Sequence, residues 1–178
     1  ETRTVRQSDG SIWWCPGDAI NLFYGTMDGG KFTTAITEAA PKATFNGTIS
    51  AATGSSEAGM GAQTFWGVYP YDESNTCDGE SVSLTIPGVQ KGVPGTFANN
   101  LNPTVANSQG LGLTFYNVGS WFIFTVSQAG ITSATFRGNN NEDIAGKIRV
   151  TMDANGRPEY EVLGGVKSIT ITPEEGSS

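Results

Sequence analysis

Histidine is absent from all 178 residues. That one absence removes Ser-His-Asp and Cys-His nucleophile activation, the HExxH zinc site and any imidazole pH switch. Cysteine is nearly absent: Cys15 and Cys77 are the two present, too few for a structural zinc site, and no CxxC pair occurs. Positive charge is scarce as well. Lys and Arg number 10 against 17 Asp and Glu, giving a net charge of −7, and the basic residues never form a run. Phosphate recognition needs a basic face, so nucleic acid is excluded as a partner. No apolar run approaches the roughly 18 residues of a membrane-spanning helix, and no stretch has the layout of a signal peptide. The opening "ETRTVRQ" reads as a mature or trimmed start, and "ITPEEGSS" as a tail or a cut before a second domain.

What is present points to β-structure. Hydrophobic residues make up 37% and charged residues 15%, and Thr, Ser, Asn and Gly fill the difference. Such a mixture of β-branched residues, hydroxyls and glycine punctuation favours a β-rich globular domain. The length suits one well-buried core. Alternation with period two recurs along the chain. Phe45, Gly47 and Ile49 alternate with Thr44, Asn46 and Thr48. Val82, Leu84 and Ile86 alternate with Ser81, Ser83 and Thr85, and Ile148, Val150 and Met152 with Lys147, Arg149 and Thr151. "SWFIFTVS" (120–127) is apolar on both faces and is expected to be a central strand covered on both sides. "SDG" (8–10), "PGD" (16–18), "DGG" (28–30) and "DANG" (153–156) are expected turns. Roughly a dozen short strands result, which suits a β-sandwich. Phe32, Ala35, Ile36 and Ala39 have helical spacing before Pro41, but three threonines leave a strand or irregular loop equally open. The segments 51–63 and 89–112 read as long loops.

Candidate chemistry is sparse. A reactive cysteine needs a base or a positive charge, whereas Cys15 has Asp18 nearby, which disfavours a thiolate. Cys15 and Cys77 either form a disulfide between two loops, as an exported protein allows, or remain two thiols. Asp72, Glu73, Asp78 and Glu80 cluster in "PYDESNTCDGE", and Glu142 and Asp143 in "NNNEDIAG". Solvated loop surface is the expected reading, ahead of calcium, whose loop spacing is not matched, and of paired catalytic acids. Phe65, Trp66, Tyr69, Phe115, Trp121, Phe122 and Phe124 fall in strand-like runs and are expected in the core. Tyr71, Phe97 and Trp13 are the aromatics left as exposed anchors. Asn46 heads an Asn-Gly-Thr sequon inside an expected strand. The terminal strands "TRTVRQ" and "VKSITITPEE" have open sheet edges available for pairing with another molecule.

Several fragments, in order, resemble the fimbrillin-like surface lipoproteins (major and minor fimbrillins) of Bacteroidales-type anaerobes. The opening block "TRTV…DGSIWWCPGDAINLFYG" carries Thr2, Arg3, Thr4, Trp14, Gly17, Asp18 and Ile20. "FWGVYPYDES" follows with Tyr69, Pro70 and Tyr71, and "LTIPGVQKGVPGTF" with Pro87 and Gln90. "LTFYNVGSWFIFTV", "ITSATFRGNNNEDIAGKIRV" and "SITIT" complete a series that spans nearly the whole chain. The resemblance implies an all-β, transthyretin-like sandwich of two mainly antiparallel sheets, with residues 1–178 as the N-terminal domain of a longer two-domain protein. It implies no catalytic residue, cofactor or metal, and gives Trp14, Gly17, Asp18 and Ile20 turn and core roles. It implies a non-enzymatic fimbrial (pilus) subunit or adhesin at the cell surface, outer membrane or fimbrium. The partners would be other subunits, joined by strand exchange, and host or bacterial surface ligands. Membrane attachment would come only through a lipid anchor upstream of these residues. A carbohydrate-binding module of a surface glycan-utilisation protein is the alternative.

Overall fold

The computed structural model describes residues 4–49, 64–94, 101–121 and 123–173. Among them the chain forms only strands, turns and extended segments. In chain order the first five strands are β1 (Val5–Arg6), β2 (Ile12–Trp13), β3 (Ala19–Tyr24), β4 (Met27–Thr34) and β5 (Phe45–Asn46). The middle five are β6 (Phe65–Tyr69), β7 (Thr76–Cys77), β8 (Val82–Ile86), β9 (Val89–Gly92) and β10 (Thr104–Ser108). The last five are β11 (Tyr116–Asn117), β12 (Ala134–Arg137), β13 (Ala145–Met152), β14 (Pro158–Val166) and β15 (Ser168–Pro173).

Two antiparallel sheets carry the core. One has six strands in the order β11-β10-β6-β3-β4-β5, and the other four in the order β14-β13-β8-β7. Alternation decides which side chains meet between them. Val82, Leu84, Ile148 and Val150 from the four-stranded sheet pack with Phe23, Trp66, Val68 and Val105 from the six-stranded sheet. The residues between them on β8 and β13 stay toward solvent, as the period-two pattern requires. The protein is therefore an all-β sandwich. The six-stranded sheet is buried on both faces along its central strand β3, where Ile20, Leu22 and Phe23 are all hidden.

The remaining sheet grows out of the sandwich. β13 is flanked by β8 and β14. Past its first residue, Ala145, the two flanking chains run on as β9 and β15 and pair directly, in parallel, from Thr170↔Val89 to Pro173↔Gly92. β12 closes the other side of β15. The hairpin of β1 and β2 forms a small sheet of its own.

Three local expectations are corrected, and one left open is decided. "SWFIFTVS" is not a doubly covered strand: Trp121, Ile123, Phe124 and Val126 are exposed and lie outside every strand. Apolar runs on both faces are compatible with a central strand but do not supply the neighbours that make one. "DGG" does not turn the chain. It sits inside β4, where pairing with β3 slips between Asn21 and Phe23 and Asp28 Oδ1 accepts Gly30 N at 2.7 Å. Of the readings left open for the stretch from Phe32, the structure takes the strand and irregular loop: β4 ends at Thr34, and Ala35, Ile36 and Ala39 follow outside any strand or helix. The supposed loop 89–112 contains β9 and β10. The loop 51–63 lies outside the described residues, as do Thr2, Arg3, Phe97 and Phe122.

Candidate functional site

The stretch from Trp14 to Ile20 builds a buried polar node. Asp18 N donates to Cys15 O at 3.1 Å, closing a turn in which Gly17 takes φ +79°, a left-handed conformation that suits glycine. Asp18 Oδ2 in turn accepts Cys15 N at 2.7 Å, so the carboxylate caps its own turn. The end of β4 ties this turn down: Thr34 N donates to Asp18 O at 2.8 Å, and Thr34 Oγ1 to Cys15 O at 2.9 Å. Asp18 is left 1% exposed.

Tyr69 completes the node from β6. Its hydroxyl lies 3.4 Å from Asp18 Oδ1 and accepts Thr4 N at 3.1 Å. A relay therefore runs from the backbone just before β1, through one phenol, to one buried carboxylate. Burial pushes the Asp18 carboxyl up to about 6, against the pull of the Cys15 and Tyr69 hydrogen bonds. Burial, with the Asp18 charge added, pushes the Tyr69 phenol up to about 12, so it remains a donor throughout the neutral range.

Aromatic packing fixes Tyr69 in place. Trp14 meets Phe45, Tyr69 and Phe115 edge-on, at centroid distances of 5.0, 5.4 and 5.1 Å. Phe115 reaches the sheet because Gly67 leaves room for it: a Cβ there would stand 2.7 Å from Phe115 Cζ. Ile20, 2% exposed, lies in the core beneath. Trp14, Gly17, Asp18 and Ile20 are thus gathered at one end of β3, with Trp14 and Ile20 packed and Gly17 and Asp18 turning the chain.

A second clamp, not foreseen from the sequence, follows β6. Asn21 Oδ1 accepts Asp72 N at 3.0 Å and Asn75 Nδ2 at 2.8 Å, while Asn21 Nδ2 donates to Asp72 O at 3.0 Å. Asn75 Nδ2 also reaches Pro70 O at 3.0 Å, and Tyr71 N pairs with Ala19 O at 2.9 Å. A buried asparagine within a strand was the available signal, but its partners lie more than 50 residues away in sequence. Gln90 Nε2 donates to Pro87 O at 3.0 Å, which holds the bend between β8 and β9.

Among the described residues, the cysteines and the loop acids do not come together. No disulfide joins Cys15 to Cys77. Cys77 Sγ lies 3.4 Å from Gly25 O, beyond the far end of β3, whereas Cys15 precedes its start, about 20 Å away along a strand of this length. Burial raises the Cys77 thiol above its ordinary value. The acids cap their own loops: Asp72 accepts from Ser74, Asp78 from Ser81, and Glu142 from Asn140 N, while Asp143 pairs with Lys167 at 3.2 Å. Those serine bonds hold the Asp72 and Asp78 carboxyls below the usual range. Among the described residues no group of three or more His, Cys, Asp or Glu is placed to hold a metal.

Of the aromatics expected as anchors, Trp13 and Tyr71 are not freely exposed. Trp13 is half-buried in β2, and Tyr71 is half-buried with Lys31 Nζ 5.1 Å from its ring centre. No family model, curated protein or solved structure matches this chain.

Proposed function

We propose that this chain is a non-enzymatic cell-surface protein, a fimbrial subunit or adhesin domain with a transthyretin-like sandwich, which assembles by exchange of a terminal β-strand. The observation that carries the reading is the position of β1. Among the described residues it pairs with β2 alone, through Val5↔Trp13 and Arg6↔Ile12, and belongs to neither large sheet. Thr4 N, bonded to Tyr69, attaches its leading end to the sandwich. Such a strand can leave without breaking the core, and what it vacates can be refilled by main-chain hydrogen bonds from another chain. β15 suits the role of mobile strand less well, since β12 and β9 flank it on both sides.

The network around Asp18 supports the same reading, because its polar groups are consumed in holding chain segments together. Against the carbohydrate-binding alternative, Trp121, Tyr71 and Tyr116 each carry a cation over one ring face. Deleting residues 1–7 tests the proposal. The shortened chain is expected to capture a synthetic peptide copying those residues, or to polymerise. The absence of both peptide binding and polymerisation would rule out strand exchange at this end.

A further inference from the structure

The exposed face and open edge of β14 specify a partner. This strand is nine residues long and, among the described residues, pairs with β13 on one side only. Tyr160 and Val162 stand opposite Val150 and Ile148, on the face that forms the core, yet they are 56% and 38% exposed. The reason lies across the sandwich. Arg157, just before β14, stacks over Tyr116 at 4.4 Å, which places this flank beside β11, the two-residue edge of the six-stranded sheet. The inner face of β14 thus lacks the cover that β13 has, where Ile148 and Val150 are buried.

The outer face is acidic. Glu161 stands opposite Arg149 and pairs with it at 2.8 Å, and Glu159 stands opposite Thr151 with no ion-pair partner among the described residues. On its paired side, then, β14 already selects a strand in which Ile148 and Val150 alternate with Lys147, Arg149 and Thr151. We propose that the open edge docks an extended segment of another protein with that same chemistry, apolar side chains alternating with basic ones. The apolar set covers Tyr160 and Val162, the basic set meets Glu159 and Glu161, and main-chain hydrogen bonds join the edges. Pairing of β14 with β14 of a second copy is disfavoured, because it gathers four glutamates on one face. The inference deepens the strand-exchange reading and rests on it for the idea that a foreign strand docks at all.

A fluorescently labelled peptide KVKVRV, titrated into the intact chain, tests this against EVEVEV and a scrambled control. KVKVRV is expected to bind about tenfold more tightly than EVEVEV, to weaken with added salt, and to slow hydrogen exchange in 158–166. E159K/E161K is expected to reverse the preference, and E159Q/E161Q to abolish it while leaving the circular dichroism of the fold unchanged. Equal binding of the two peptides, no binding, or protection confined to other strands would each overturn the proposal. So would a concentration-dependent dimer protected at β14. If β14 fails these tests while the chain lacking residues 1–7 still captures its peptide, this inference alone falls.

Discussion

The Tyr69 hydroxyl lies 3.4 Å from Asp18 Oδ1 and, on its other side, 3.1 Å from Thr4 N, so one phenol ties the start of the chain to a carboxylate buried at the entrance to β3. The node has a pH signature. The Asp18 carboxyl lies at about 6 in the folded protein, against an ordinary 3.8. Its contribution to stability is therefore fully present below pH 3.8 and is lost as pH rises toward 6. With the side chain 1% exposed, solvent screens it little, and the loss amounts to as much as about 3 kcal/mol. Urea unfolding of the natural protein and of Asp18→Asn, measured from pH 4 to 7, should show the natural protein losing stability relative to the variant. A difference independent of pH would contradict this assignment.

Replacing Tyr69 by Phe deletes the bridge and keeps the ring against Trp14. Thr4 N and Asp18 Oδ1 each lose a buried partner, at a cost of about 1–3 kcal/mol. Hydrogen exchange at 4–6 should accelerate well beyond that of β13. Unchanged protection at those residues would show that the hairpin is held by other contacts.

Asn21→Ala removes three hydrogen bonds that fasten the 70–75 turn to β3. The expected destabilisation is about 3 kcal/mol or more, since Asn75 and the Asp72 backbone lose partners together. Thermal unfolding checks it. A loss below about 1 kcal/mol would mean that water replaces the amide without penalty.

Much of the sandwich was legible in the sequence, and the limits of that reading have physical causes. Val82, Leu84, Ile148 and Val150 declared the core because each strand buries one face, so alternation maps directly onto burial. "SWFIFTVS" failed because periodicity reports a strand's own faces and carries nothing about its neighbours. "DGG" failed because glycine serves bulges as readily as turns. At Asp18 the turn could be read from Pro-Gly-Asp. The carboxylate's burial and its tyrosine partner 51 residues on could not, since both are products of tertiary packing.

Cys77 should behave as an inert thiol. Its position against Gly25 O and its burial, which raises its pKa, both slow attack on a disulfide reagent. Without reductant, the unfolded chain should titrate two thiols, and the native chain should react at Cys77 several-fold more slowly than a free thiol. Recovery of an intact Cys15–Cys77 cystine peptide after proteolysis would contradict the separation of the two cysteines along β3.

The claim that β1 passes between copies can be tested by trapping it. Val5 and Trp13 face each other in the β1–β2 register. In a background with both native cysteines replaced by serine, Val5→Cys chains and Trp13→Cys chains are mixed under mild oxidation. Strand exchange predicts a disulfide-linked heterodimer joining position 5 of one copy to position 13 of the other. If no heterodimer forms, while a chain carrying both substitutions closes its own internal bond, β1 stays with its parent chain and the account of assembly is wrong.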